Sequence, residues 1–245
     1  NDKTDMEFDD NGNQTLYINY NWNSESQSFV LNYKQESSYD ENGNQTLITS
    51  YYWNSESQSF VLNYKQESSY DENGNQTLIT SYYWNSESQS FVPSYKYESS
   101  YDENGNITLY IGYNWNSESQ SFVPNVKYEY SFDENGNYTL NIGYNWDSES
   151  QSFVPSYKYE SSYDENGNQT LYIGYNWNSE SQSFVPSSKK EYSFDENGNQ
   201  TLSIRYYWNT NTQSFVSRFK YEYSFDEDGN QTLWIIYDWN TNTQS

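Results

Sequence analysis

Paired carboxylates are the first residues in this sequence that could do chemistry. Asp40–Glu41 and Asp133–Glu134 are two of eight acidic pairs, each followed by Asn-Gly or Asp-Gly. A glycosidase needs one such pair, in a cleft, with its two carboxyls in different environments. Eight equivalent copies read instead as turn formers and solubilising charge, so no catalytic residue is assigned and no enzyme is expected. The same loops offer oxygen ligands for calcium: Asp102 with Asn104, Asp133 with Asn135, and Asp164 with Asn166. Calcium takes six to eight oxygens, so such a site would need help from a neighbouring repeat, for example Glu149 or Glu160. Apart from this possible calcium, no cofactor is expected. Asn-x-Thr sequons at Asn13, Asn44, Asn75, Asn106, Asn137, Asn168, Asn199 and Asn230 are read as turn closure by Asn and strand entry by Thr.

The composition excludes other chemistries. With no Cys and no His among 245 residues, there is no disulfide framework, no ordinary zinc or haem site and no Ser-His-Asp system. A net charge of −24 argues against nucleic acid and anionic membranes as partners, because both reward Lys and Arg. No apolar run is long enough to span a bilayer, so no membrane insertion is expected. Low hydropathy with high charge suggests disorder, but an aromatic content of 21% is too rich for a solvated chain.

The elements that would position these residues come from an internal repeat. The turn glycines run from Gly12 to Gly229 at a constant interval of 31 residues. The units are 9–39, 40–70, 71–101, 102–132, 133–163, 164–194, 195–225 and a partial 226–245, with 1–8 closing a preceding unit. The whole is a single repeat array over 1–245. Both ends fall mid-unit, as in a slice of a longer protein.

Each unit alternates with period two, the strand signature. Phe122, Pro124, Val126, Tyr128, Tyr130 and Phe132 are expected on one face with Leu140, Ile142, Tyr144 and Trp146; Lys127 and Glu129 fall on the other. A three-residue Glu134–Gly136 loop pairs Asp133 with Asn137 and would set Tyr130 opposite Leu140, Tyr128 opposite Ile142 and Val126 opposite Tyr144. The D-S-E-S-Q-S turn would set Trp146 opposite Phe153, Tyr144 opposite Pro155 and Ile142 opposite Tyr157. Pro93, Pro124, Pro155 and Pro186 share one repeat position, where an irregularity is expected. The fold class is therefore all-β: tandem β-hairpins in a continuous antiparallel meander, curled or spiralled to cover its aromatic face. The alternative is a parallel β-solenoid. It would stack like carboxylates ~4.8 Å apart, a repulsion of ~0.9 kcal/mol per pair even in water.

The motif Tyr163-Asp164-Glu165-Asn166-Gly167-Asn168 resembles the tyrosine–aspartate core (YDxxGN) of Rhs/YD-type repeats. That resemblance implies hairpins joined into a long spiralling sheet, acting as a shell around toxin cargo or as a surface-adhesion module. The W-N-S-E-S-Q-S-F turn lies outside the YD pattern. The unit is more similar to the Tyr/Trp-rich tandem repeats of long secreted bacterial surface proteins. These likenesses imply an extracellular or cell-surface location and a structural or adhesive role as spacer, stalk or filament. Two further readings stand beside it: a multivalent carbohydrate-binding repeat protein and a calcium-rigidified adhesin. Expected partners are neighbouring repeats or further copies through open sheet edges, and surface glycans held by exposed Tyr, Trp and Asn. At this level no glycan-contacting residue is separable from packing.

Overall fold

A computed structural model describes residues 2–238. Residues 1 and 239–245, including the end of the partial unit 226–245, lie outside the described residues. The strands are β1 (Asp2–Phe8), β2 (Gln14–Asn23), β3 (Ser28–Tyr39), β4 (Gln45–Asn54), β5 (Ser59–Tyr70), β6 (Gln76–Asn85), β7 (Ser90–Tyr101) and β8 (Ile107–Asn116). They continue with β9 (Ser121–Phe132), β10 (Tyr138–Asp147), β11 (Ser152–Tyr163), β12 (Gln169–Asn178), β13 (Ser183–Phe194), β14 (Gln200–Asn209), β15 (Ser214–Phe225) and β16 (Gln231–Asp238). Strand order follows chain order from β1 to β16 in one open sheet. Neighbours are antiparallel, as in β10 against β11 and β11 against β12. This is the hairpin meander; the parallel stacking of a solenoid is absent among the described strands. By contacts the chain divides into two units, one through Asn125 and one from Val126.

Both hairpin turns form as their residues dictate. In the acidic turn, Asp133 N–H donates to Asn137 O at 3.0 Å and Gly136 N–H to Asp133 O at 3.0 Å. Gly136 sits at φ +80°, the left-handed region that costs glycine nothing. The three-residue loop and the Asp133–Asn137 pairing are therefore as the alternation requires. In the opposite turn, Asn116 Oδ1 accepts from the backbone N–H groups of Glu118 and Ser119, both at 2.9 Å. There the left-handed position belongs to glutamine, as at Gln151 (φ 51°). That conformation costs a side-chain-bearing residue roughly 1–2 kcal/mol, against roughly 0.5–1 kcal/mol of extra chain entropy lost by glycine. Gln151→Gly is therefore expected to stabilise the array by about 0.5–1 kcal/mol, read from denaturant midpoints; an unchanged or lower midpoint contradicts the strain.

The register departs from simple alternation twice per repeat. Phe132 faces Tyr138, but Ser131 faces Leu140, so Thr139 is an extra residue. Its hydroxyl donates to Ser131 O at 3.1 Å, occupying the carbonyl that the bulge leaves over. Beyond it, Tyr130 faces Asn141, Glu129 faces Ile142, Tyr128 faces Gly143 and Lys127 faces Tyr144. The expected pairs of Tyr130 with Leu140, Tyr128 with Ile142 and Val126 with Tyr144 are corrected by this one-residue step.

The second departure follows the proline position. Trp146 faces Phe153 and Tyr144 faces Pro155 as expected, but Gly143 then faces Tyr157 and Ile142 faces Lys158. Ser156 is the extra residue. The same shift occurs where Leu62 or Ser217 replaces proline, so the irregularity expected at proline is a property of the repeat.

Together the bulges sort the side chains into two mixed faces. Face A carries Leu140, Ile142, Tyr144, Trp146, Phe153 and Pro155 together with Lys127, Glu129, Lys158 and Glu160. Face B carries Tyr128, Tyr130, Phe132, Tyr138, Asn141, Gly143, Tyr157 and Tyr159. The single aromatic face of the alternation pattern is thus divided between both sides, and with it goes the need for a one-sided cover. Among the described residues no apolar side chain is fully buried; the buried side chains are Ser50, Ser68, Thr80, Ser81 and Ser203.

One inter-repeat bond is present in some repeats and missing in others. Tyr163 hydroxyl donates to Tyr138 O at 2.9 Å, as Tyr70 does to Gln45 O at 2.9 Å. Phe194 holds this position one repeat later, opposite Gln200. Phe194→Tyr is expected to supply the missing bond to Gln169 O and to stabilise by about 0.5–1.5 kcal/mol. Chemical denaturation checks this, and a loss of stability refutes it.

Candidate functional site

The residues considered for calcium sit in the acidic turns. Asp133 Oδ1 accepts from the backbone N–H groups of Asn135 and Asn137, both at 2.9 Å, and its Oδ2 accepts from Asn137 Nδ2 at 3.0 Å. Asp102 binds Asn104 and Asn106 in this way, and Asp164 binds Asn166 and Asn168. The Asn side-chain amides and these backbone donors hold the three carboxyls below their ordinary range. The carboxylates are thus engaged in closing their own loops, the Asx-turn chemistry of short polar side chains. Among the described residues no three acidic side chains cluster as a metal-binding group. Successive turns do neighbour each other: a Cβ at Gly167 would lie 3.5 Å from Asn137 Oδ1. Glu160, considered as a ligand from a neighbouring repeat, belongs elsewhere.

It is one corner of a triad on face A. Lys158 Nζ lies 2.7 Å from Glu160 Oε1, Tyr175 hydroxyl donates to Glu160 Oε2 at 2.6 Å, and Lys158 Nζ stands 4.0 Å from the centre of the Tyr175 ring. The ammonium is also 5.6 Å from the Phe184 ring of the following hairpin, and Phe184 packs edge-on against Trp177 at 5.1 Å. One triad therefore links three consecutive strands. It recurs as Lys34–Glu36–Tyr51, Lys65–Glu67–Tyr82, Lys96–Glu98–Tyr113, Lys127–Glu129–Tyr144 and Lys189–Glu191–Tyr206.

Its electrostatics are one-directional. Partial burial, then the bond to Glu160, pushes the Tyr175 hydroxyl up to about 12. Burial alone would raise Glu160, but the Lys158 ammonium and the Tyr175 hydroxyl outweigh it and hold that carboxyl low. At neutral pH the triad is a phenol, a carboxylate and an ammonium with every charge answered. It is a cross-link between neighbouring strands.

The eight copies vary less at the triad positions than at several positions of face B. On face A the leucine recurs unchanged from Leu16 to Leu233, the tyrosine from Tyr20 to Tyr237, and the lysine from Lys3 to Lys220. On face B the series through Tyr110 reads Tyr, Ile, Ile, Tyr, Asn, Tyr, Ser, Trp from Tyr17 to Trp234. The series through Ser99 holds Ser37, Ser68, Ser99 and Ser161 but Tyr130, Tyr192 and Tyr223. Alternation assigned Lys and Glu to a solvated face and missed the triads. The signal that finds them is this unvarying recurrence, which a merely solvated charge does not need.

No known family and no curated protein matches the sequence. Among solved structures, a Bacteroides fragilis protein of unknown function is 22% identical, with a TM-score of 0.41 over 52% of this chain and 90% of its own. A DUF3836 family protein from Parabacteroides distasonis is 23% identical, with a TM-score of 0.31 over 37% of this chain and 81% of its own. The Tc holotoxin pore of Photorhabdus luminescens is 11% identical, with a TM-score of 0.25 over 94% of this chain and 16% of that one.

Proposed function

We propose that this chain is a non-enzymatic structural and adhesive repeat segment of an extracellular or cell-surface protein, in which each hairpin repeat is one increment of a spacer. The observation that carries this reading is the recurrence, step after step, of one bonded frame: acidic turn, Asn-capped turn and face-A triad. Among the described residues each frame bonds to its neighbours in sequence, the condition under which stability and size grow by addition of units. The Tyr-Asp-Glu-Asn-Gly-Asn motif supports a YD-like surface repeat, since its Asp is the acceptor that builds the turn. Arrays of two, four, six and eight repeats test the reading. The maximum dimension from small-angle scattering should rise by a constant increment per repeat, and the denaturant midpoint should rise and then level off. A dimension that stops growing with repeat number would overturn it.

A further inference from the structure

We propose that the cleft above Ser99 on face B binds one pyranose ring of a neutral, all-equatorial β-linked glycan. This deepens the adhesive half of the function proposed above and rests on it. The cleft measures about 320 Å³ and is bounded by Gln76, Ile79, Tyr97, Ser99, Tyr101 and Tyr110. It exists because two substitutions coincide in the β7–β8 hairpin. Where other repeats place Tyr130 or Tyr192, this one has Ser99, which leaves the space of a phenol empty. Where serine occurs elsewhere, a glutamine amide closes over it: Gln45 on Ser37 at 2.9 Å, Gln76 on Ser68 at 3.0 Å and Gln169 on Ser161 at 2.9 Å. The equivalent of that glutamine at Ser99 is Ile107, paired opposite Tyr101, and its side chain has nothing to donate.

The walls select the ligand. The Tyr97 ring lies 5.1 Å from that of Tyr110 and 5.0 Å from that of Tyr95, and the Tyr101 hydroxyl is committed to Gln76 O at 2.9 Å. Aromatic faces and Ile79 present apolar surface, while the Ser99 hydroxyl gives a polar point at the edge. A pyranose with equatorial hydroxyls has that same division: apolar C–H faces and a polar rim. No charged side chain lines the cleft, and a chain of net charge −24 repels anions, so the ligand is neutral. Cavities of this size sit at the low end for small-molecule sites, enough for one sugar ring. They are too short for an extended peptide, which advances ~3.1 Å per residue as a polyproline helix.

Cellohexaose titrated calorimetrically into the full chain tests this, with decaproline as the competing probe. Saturable cellohexaose binding is expected. Ser99→Tyr and Ile107→Gln should each weaken it roughly ten-fold or more. Both variants copy side chains that this chain already uses at the same repeat positions, so the hairpins fold, as circular dichroism will verify. Absence of saturable cellohexaose binding, undiminished binding in both variants, or binding of decaproline instead would each overturn the proposal. Since array dimension is measured without any ligand, failure here leaves the spacer reading standing, and failure there leaves this cleft to be judged on binding alone.

Discussion

Deleting Ser156 is expected to destabilise the array by at least about 0.5–1.5 kcal/mol, the cost of the cheaper of two rearrangements, while Ser156→Ala leaves the stability unchanged. The contrast follows from what this residue does. It is the extra residue between Pro155, which faces Tyr144, and Tyr157, which faces Gly143. Because strand side chains alternate, removing it turns everything on one side of the gap to the opposite face. If the downstream half turns, Lys158 and Glu160 leave face A. The bond from Tyr175, the ammonium over its ring and the ammonium near Phe184 all go with them. If the upstream half turns, the Trp146–Phe153 pair at 5.1 Å is lost. A hydrogen bond to a charged group is worth ~1.5–3 kcal/mol. A cation–ring contact adds ~0.5–1 and an aromatic pair ~0.5–1.5. Turning the downstream half therefore forfeits several kcal/mol and turning the upstream half at least about 0.5–1.5 kcal/mol, whereas Ser156→Ala changes no register. Urea unfolding should show a separate, earlier transition in the deletion variant. A single transition at the original midpoint would mean that the bulge does not set the faces.

That prediction also marks how far the sequence could be read. Hairpin order, loop length and the pairs nearest the turns, Asp133–Asn137, Trp146–Phe153 and Tyr144–Pro155, follow from alternation and turn chemistry. The faces beyond the bulges do not. A bulge adds one residue to one strand, and the sequence alternates just as regularly after it as before. Phe153, Pro155, Tyr157 and Tyr159 look like one continuous apolar row, although the chain puts the first two on face A and the last two on face B. Ser156 carries no compositional mark of its role, its series reading Asn32, Asn63, Ser94, Asn125, Ser156, Ser187 and Arg218, whereas Thr139 recurs unchanged from Thr15 to Thr232.

What does distinguish the faces is the comparison of repeats. Lys158 and Glu160 have the same residue types one repeat earlier and later, while Tyr159 lies between Tyr128 and Lys190 in its own series. The lysine and tyrosine that meet partners in neighbouring strands recur unchanged, and the carboxylate changes only to Asp5. The Lys and Tyr positions of the triads thus hold the strands together, while face-B positions such as those of Tyr110 and Ser99 differ from repeat to repeat. The Ser99 cleft is such a difference, legible only once the register shows which residues surround it.

The triads should also set the pH range of stability, and both limits follow from their charges. Tyr51, Tyr82, Tyr113 and Tyr175 are each pushed from 10.0 up to about 12, first by partial burial and then by the bond to a glutamate. In the unfolded chain these phenols ionise near 10, so their contribution is complete below pH 10 and is lost as pH rises towards 12. Glu36 and Glu67 are held below 4.5 chiefly by Lys34 and Lys65, and the turn carboxyls Asp40 and Asp71 below 3.8 by Asn44 and Asn75. Their contribution is complete above the unfolded values and is lost as pH falls through the lower folded ones. The denaturant midpoint is therefore expected to be level across the neutral range and to fall on both sides, with the alkaline fall accompanied by tyrosinate absorbance. Glu160→Gln separates the two causes of the tyrosine shift. It removes the carboxylate but keeps the partial burial, so Tyr175 should ionise earlier than in the parent chain while remaining above 10. A midpoint unchanged between pH 10 and 12, or a Tyr175 titration indifferent to Glu160→Gln, would show that the phenol–carboxylate bonds do not hold the strands together.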